Sequence, residues 1–204
     1  MRIAALLVVV VVVLAGCAAG GDPAVVSGTP ATVGDDALSS TGFERVAAGN
    51  RTLNATVRAS ISGDVQLHGK QSVRATTPVR VYRDGDAVFA VVSAPAVRPI
   101  ENKPTYRDPL ATRSPAEQVA YAQSVYAVTD LRETGTDSVA VLGNETTLRT
   151  YDGRTDDGTP VVVTVARVRH GGDFVTGVAV TPATDTRRDD VVTLLEGIRH
   201  AGDA

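Results

Sequence analysis

Cysteine is nearly missing from this chain of 204 residues: Cys17 is the single one. One thiol cannot close a disulfide within the chain or supply a thiolate metal cluster, so the fold stands without covalent staples. Lysine is almost as scarce, present only as Lys70 and Lys103, and arginine fills the other basic positions. Histidine occurs at His68, His170 and His200 alone. No HExxH and no spacing that suits a three-histidine zinc site is present, so no metal is expected. GxSxG, a phosphate-cradling glycine loop and a dinucleotide fingerprint are also lacking, which disfavours the familiar enzyme classes without excluding every enzyme. No basic stripe with interleaved aromatics appears, and nucleic acid is not an expected partner.

A membrane-spanning run is missing too. Apolar residues extend from Ile3 to Ala15, about 13 positions, where a transmembrane helix needs roughly 20. Arg2 in front of the run and the small residues Ala15 and Gly16 behind it mark a processed targeting peptide over residues 1–16. The four residues "LAGC", Leu14 to Cys17, resemble the lipobox of secreted lipoproteins. That resemblance implies a diacylglyceryl group on the sulfur of Cys17, which becomes the first mature residue. The alternative is a buried core cysteine, against which its position at the end of the apolar run argues. Two acyl chains hold a soluble domain on a membrane surface, whereas one binds marginally. The expected location is therefore the extracellular face of the cell membrane, through the lipid anchor. No cofactor is expected beyond that covalent lipid.

Residues 17–34, rich in Gly, Pro and small side chains, read as a flexible spacer. The remainder, 35–204, is long enough for one domain with its own core. Three sequons, at Asn50, Asn54 and Asn144, make these asparagines candidate glycosylation sites in an exported protein.

Periodicity gives an α+β domain. "DDALSSTGFERV", 35–46, has acids where a helix starts and Gly42 where one can stop. Leu53, Ala55, Val57, Ala59 and Ile61 alternate as one face of a strand, with a turn at Gly63 and Asp64 into a partner carrying Val65, Leu67 and Val73. A second hairpin turns at Asp84-Gly85, and its second strand, nearly all apolar, is expected to be covered on both faces. "SPAE" from Ser114 forms a capping box opening a helix over 115–129. Two further hairpins follow, turning at Gly143-Asn144 and at "HGGD", 170–173. A closing helix with Asp189 and Asp190 early, Arg199 and His200 late and Gly202 behind packs Val191, Leu194, Leu195 and Ile198 on the sheet. The result is a single, mostly antiparallel sheet with a mid-chain helix and a C-terminal helix packed on it.

Two places invite a functional reading. His170 and Asp173 at a hairpin tip suggest a general base oriented by a carboxylate, although a polar turn is the plainer reading. The loop over 94–113 carries four prolines and is long for a compact domain. Its Arg98, Ile100, Tyr106 and Arg107 combine apolar and positive character and suggest a protein-partner surface; the alternative is that the apolar residues pin the loop to the sheet. "YDGRTDDGTP", 151–160, fails the calcium-loop pattern because Arg154 occupies a ligand position and Val163 the closing one.

Arginine for lysine and an excess of aspartate over glutamate resemble proteins of salt-loving archaea with GC-rich genomes, although a GC-rich genome alone produces much of that bias. Together with "PATVGDDALSSTGFERV", "AVFAVVSAP", "VLGNETTLRTYDG", "VARVRHGGDFVTGVAV" and "LLEGIRH", the chain resembles a family of haloarchaeal lipoproteins of unknown function. The resemblance brings no activity and no catalytic residue. The order of elements is more loosely similar to PsbP-like sandwiches, which implies an accessory or assembly role. The expectation is a non-enzymatic binding or accessory module of the cell surface, with a surface hydrolase using His170 and Asp173 or a structural envelope protein as alternatives.

Overall fold

The computed structural model describes residues 22–62 and 66–201. Cys17, the turn expected at Gly63 and Asp64, Val65 and the helix stop expected at Gly202 lie outside them. In chain order the elements are β1 (Ala24–Ser27), β2 (Ala31–Val33), α1 (Asp35–Thr41), β3 (Glu44–Ile61), β4 (Leu67–Asp84), β5 (Ala87–Pro95), a single 3-10 turn (Leu110–Thr112), α2 (Pro115–Ala122), β6 (Val128–Val141), β7 (Asn144–Thr155), β8 (Pro160–His170), β9 (Asp173–Pro182), α3 (Arg188–Glu196) and β10 (Ile198–His200).

One sheet runs in the order β1-β4-β5-β9-β8-β7-β6, with β3 along the other side of β4. All its pairings are antiparallel except that of β1 with β4, which is parallel. β2 and β10 pair separately. Both faces of the sheet are covered. On one, Ala37, Val191, Leu194, Leu195 and Ile198 pack on Phe89, Val91, Val175 and Ala179. On the other, Leu110, Val119 and Ala122 pack on Val88, Ala90, Val92, Val163, Val178 and Val180. Successive residues of β5 point to opposite faces, so a strand with a core on each side is apolar throughout, and every residue of β5 is buried. Three layers result, helices and loop on either side of a mostly antiparallel sheet.

Several boundaries differ from the sequence expectation, each for a local reason. The spacer over 17–34 is corrected within its second half: β1 pairs with residues 73–76 of β4 and β2 with β10. Short apolar stretches among small residues are too brief to announce strands, and their partners are distant in sequence. The first helix stops at Thr41, where Gly42 adopts φ 76° and its N–H returns to the Leu38 carbonyl, as glycine permits. The strand partners expected from two separate hairpins are one continuous strand, β4. Pro78 lies within it, between the segment paired with β1 and the one paired with β5, where that side of the ladder is open.

The capping box of α2 forms: the Ser114 hydroxyl accepts from Glu117 N and the Glu117 carboxylate accepts from Ser114 N at 2.8 Å. The helix nevertheless ends at Ala122 rather than Thr129. Gln123 is fully buried and its amide donates to the Tyr126 carbonyl at 2.7 Å and accepts from Val125 and Tyr126 N–H at 2.7 and 2.8 Å. That amide supplies the partners that a further helical turn would have provided. The β6–β7 turn falls at Leu142 and Gly143, with φ of 50° and 71°, one residue before the expected pair, and Asn144 opens β7. The last helix ends at Glu196, and His200 belongs to β10 rather than to a helix C-terminus.

Candidate functional site

The β8–β9 turn brings together the residues that the sequence singled out, and one it did not pair with them. His170 and Asp173 are register partners flanking Gly171 and Gly172. Asp173 is buried, and its Oδ2 accepts from the Thr29 backbone N–H at 2.8 Å and from His200 Nε2 at 3.0 Å. His200, equally buried, places its other ring nitrogen, Nδ1, 3.3 Å from His170 Nδ1, with the two rings edge to face. The Ser93 hydroxyl lies 3.4 Å from His200 Nε2. Four distant segments therefore meet in one polar knot: the approach to β2, the end of β5, the β8–β9 turn and β10.

Ser93, His200 and Asp173 are not arranged as a nucleophile relay. A serine nucleophile and an orienting carboxylate must address opposite nitrogens of the histidine between them. Here Ser93 and Asp173 address the same nitrogen, and Ser93 is fully buried. The Asp173 carboxylate turns to His200 and Thr29, and the His170–His200 contact occupies the side on which a base would meet substrate. Sequence reasoning placed His200 at a solvated helix end and so missed it; the cue was its position in the short alternating run Ile198, Arg199, His200. Among the described residues, no group of three or more His, Cys, Asp or Glu is placed to hold a metal ion.

A second polar group lies under α2. Arg167, on β8, approaches the buried Asp108 carboxylate with Nε 2.9 Å from Oδ2. The single Nε proton is directed to Thr176 Oγ1 at 3.0 Å. Asp108 Oδ2 therefore gains charge attraction without an aligned hydrogen bond, while Oδ1 accepts from Leu110 N–H at 2.7 Å. Burial pushes the Asp108 carboxyl above its ordinary range, with Arg167 opposing. Beside this pair, a concavity of about 330 Å³ is lined by Gln118, Thr147, Arg149, Tyr151, Val165 and Arg167. Both arginines are already engaged, Arg167 as described and Arg149 with Glu133 at 3.0 Å. The concavity is polar but offers few uncommitted donors.

The loop over 94–113 is anchored at both ends and open between them. Val97 and Arg107 pair through their backbones, and Val97 and Leu110 are buried, so these apolar residues do pin the loop. Ile100 lies against Gly69 of β4. Tyr106 has the Arg98 and Arg169 guanidinium groups over its ring, at 5.0 and 3.7 Å from the centroid. Such cation–π contacts fix an aromatic ring among positive charges. Arg107 is exposed and shares a second concavity, of about 380 Å³, with Arg58, His68 and Lys70. The sequon residues Asn50, Asn54 and Asn144 are all exposed.

A central sheet covered on both faces, whose buried titratable groups tie chain segments together, defines an α+β domain. The chain belongs to the family DUF6517, a domain of unknown function, whose model matches residues 30–199. It is similar to the solution structure of cyanobacterial PsbP from Synechocystis, at 15% identity over 92% of this chain and 98% of that one, with a TM-score of 0.32. No curated protein matches the sequence at a comparable level.

Proposed function

We propose that this protein is a lipid-anchored binding or accessory module of the extracellular membrane surface in a salt-loving archaeon, and that it performs no catalysis. The observation that carries the reading is "LAGC" at the end of a short apolar leader, followed within a few residues by the first strand of the domain. A lipidated Cys17 then holds the fold close to the bilayer without a transmembrane segment. The non-enzymatic part rests on the polar knot around His200, whose groups are turned toward each other and toward backbone.

The test is mass spectrometry of the protein from native membranes, together with fractionation of a Cys17→Ser variant. The expected result is a diacylglyceryl mass on Cys17 and release of the variant into the soluble fraction. An unmodified Cys17 in membrane-bound protein overturns the anchor. The hydrolase alternative is favoured only by the proximity of His170, His200 and Asp173; a His170→Ala variant is expected to lose no surface hydrolase activity. A structural envelope role would instead give very high copy number and no stoichiometric partner on cross-linking in native membranes.

A further inference from the structure

Strand register divides the β3–β4 hairpin in two. β5 pairs with β4 from Val79 to Asp84 only, whereas β3 and β4 stay paired out to Ile61 and Leu67. Residues 52–61 and 67–76 therefore form an arm that continues past the three-layer body, with β1 along its root. The arm's inner face is covered: Val57 and Val73 pack with Val97 of the loop, and Gly69 lies so close that a Cβ there would meet the Pro99 carbonyl oxygen at 2.2 Å.

The outer face is basic and, among the described residues, uncovered. Arg58 stands opposite Lys70, Ser60 opposite His68, and Asn54 opposite Arg74, all exposed. From the loop, Arg107 lines a concavity with Arg58, His68 and Lys70. One of the chain's two lysines, Lys70, falls here. Some arginines elsewhere find carboxylates, Arg83 with Asp86, Arg149 with Glu133, Arg167 with Asp108, Arg187 with Asp84 and Asp190, Arg188 with Asp137, and others, such as Arg51, Arg80 and Arg154, donate to backbone carbonyls. Among the described residues, Arg58, Lys70, Arg74, Arg98, Lys103, Arg107 and Arg169 make no ion pair. Asp86, Asp156, Asp157 and Asp185 lie in the turns at the opposite end. Val25, the register partner of Arg74, is also exposed on this face, at 75%.

The chain enters from the same direction. β1 is parallel to β4 with Ala24 beside Val73, so the strand's start at Ala24 is on the side of the arm's tip. At ~3.6 Å per residue, the stretch from Cys17 to Ala24 reaches at most about 25 Å in any conformation.

We propose that the arm is the membrane-facing end of the molecule, and that its outer face seats on anionic lipid headgroups beside the anchor. This rests on the lipidation of Cys17. A lipid anchor supplies one membrane signal and a basic face with exposed Val25 the second. The same face also sets orientation, turning the acidic end outward.

The test uses the full chain with Cys17→Ser, which removes the lipid, and vesicles of phosphatidylcholine with or without phosphatidylglycerol at low salt. Binding is expected only to vesicles containing phosphatidylglycerol. Each cation near such a surface strengthens binding roughly fivefold, so Arg58→Ala/Lys70→Ala/Arg107→Ala together weaken it about a hundredfold. A control triple, Arg45→Ala/Arg132→Ala/Arg154→Ala, leaves it unchanged. Equal losses in both triples, equal binding to uncharged vesicles, or no binding while an acidic protein is captured through Arg58 and Lys70 each overturn the proposal. In the lipidated chain, a dye on Leu67→Cys is quenched by headgroup quenchers before one on Thr184→Cys. A second labelled thiol in that experiment means Cys17 carries no lipid, and the anchor reading fails. A lipidated chain quenched first at position 184, or carrying a glycan on Asn54, keeps the anchor and overturns the orientation.

Discussion

At the scale of single residues, Asp108 shows how one carboxylate links loop and sheet. Its burial disfavours charge more than Arg167 restores it, so the folded protein holds this proton to higher pH than the unfolded chain does. The unfolded reference is near pH ~3.9. Between that value and the raised one, the folded state binds more protons, and stability falls as pH rises. Asp108→Asn keeps the acceptor for Leu110 N–H and removes the titration. Urea midpoints measured across this window should therefore fall with pH more steeply in the natural protein than in the variant; parallel curves would mean that Asp108 does not titrate there. Nothing in the sequence around "YRDPLATR" distinguished Asp108 from a solvated turn residue. Only the packing of Leu110 and Val97 over the sheet carries it into the interior.

Among elements, the β3–β4 arm depends on its contact with the loop. Gly69 is required because the Pro99 carbonyl, a backbone group, leaves no room for a methyl. Gly69→Ala should lift the loop or bend the arm at a cost of about 1–3 kcal/mol. Limited proteolysis within 98–106 is expected to accelerate while far-UV dichroism stays unchanged; an unaltered cleavage rate would show that the loop is not held there. The alternation Leu53, Ala55, Val57, Ala59, Ile61 made the strand legible in advance, since only a pleated chain places these residues on one side. Continuity of β4 through Pro78 was not legible, because local propensity argues for a break. The three-sided surroundings of β4, with β3 on one edge and β1 and β5 sharing the other, override that propensity.

For the whole molecule, the decisive fact is one sheet with a core on each face. β5, β8 and β9 contribute side chains to both, so the two cores cannot separate without breaking common strands. Val119→Ala beneath α2 should cost about 2 kcal/mol and Leu194→Ala beneath α3 about 3 kcal/mol. The two should add, because the sites share no contact. Dichroism and tyrosine fluorescence should still report a single coincident denaturant transition in both variants; two transitions would mean that the faces unfold independently. The sequence by itself determined the α+β class, the apolar strands and the capped start of α2, since each rests on neighbours a few residues apart. Tertiary structure alone decided that His200 meets Asp173 and that residues 24–33 belong to sheets. It also decided that scattered basic residues form one face on the arm. Those outcomes depend on register and topology between segments far apart in the chain, which no local period records.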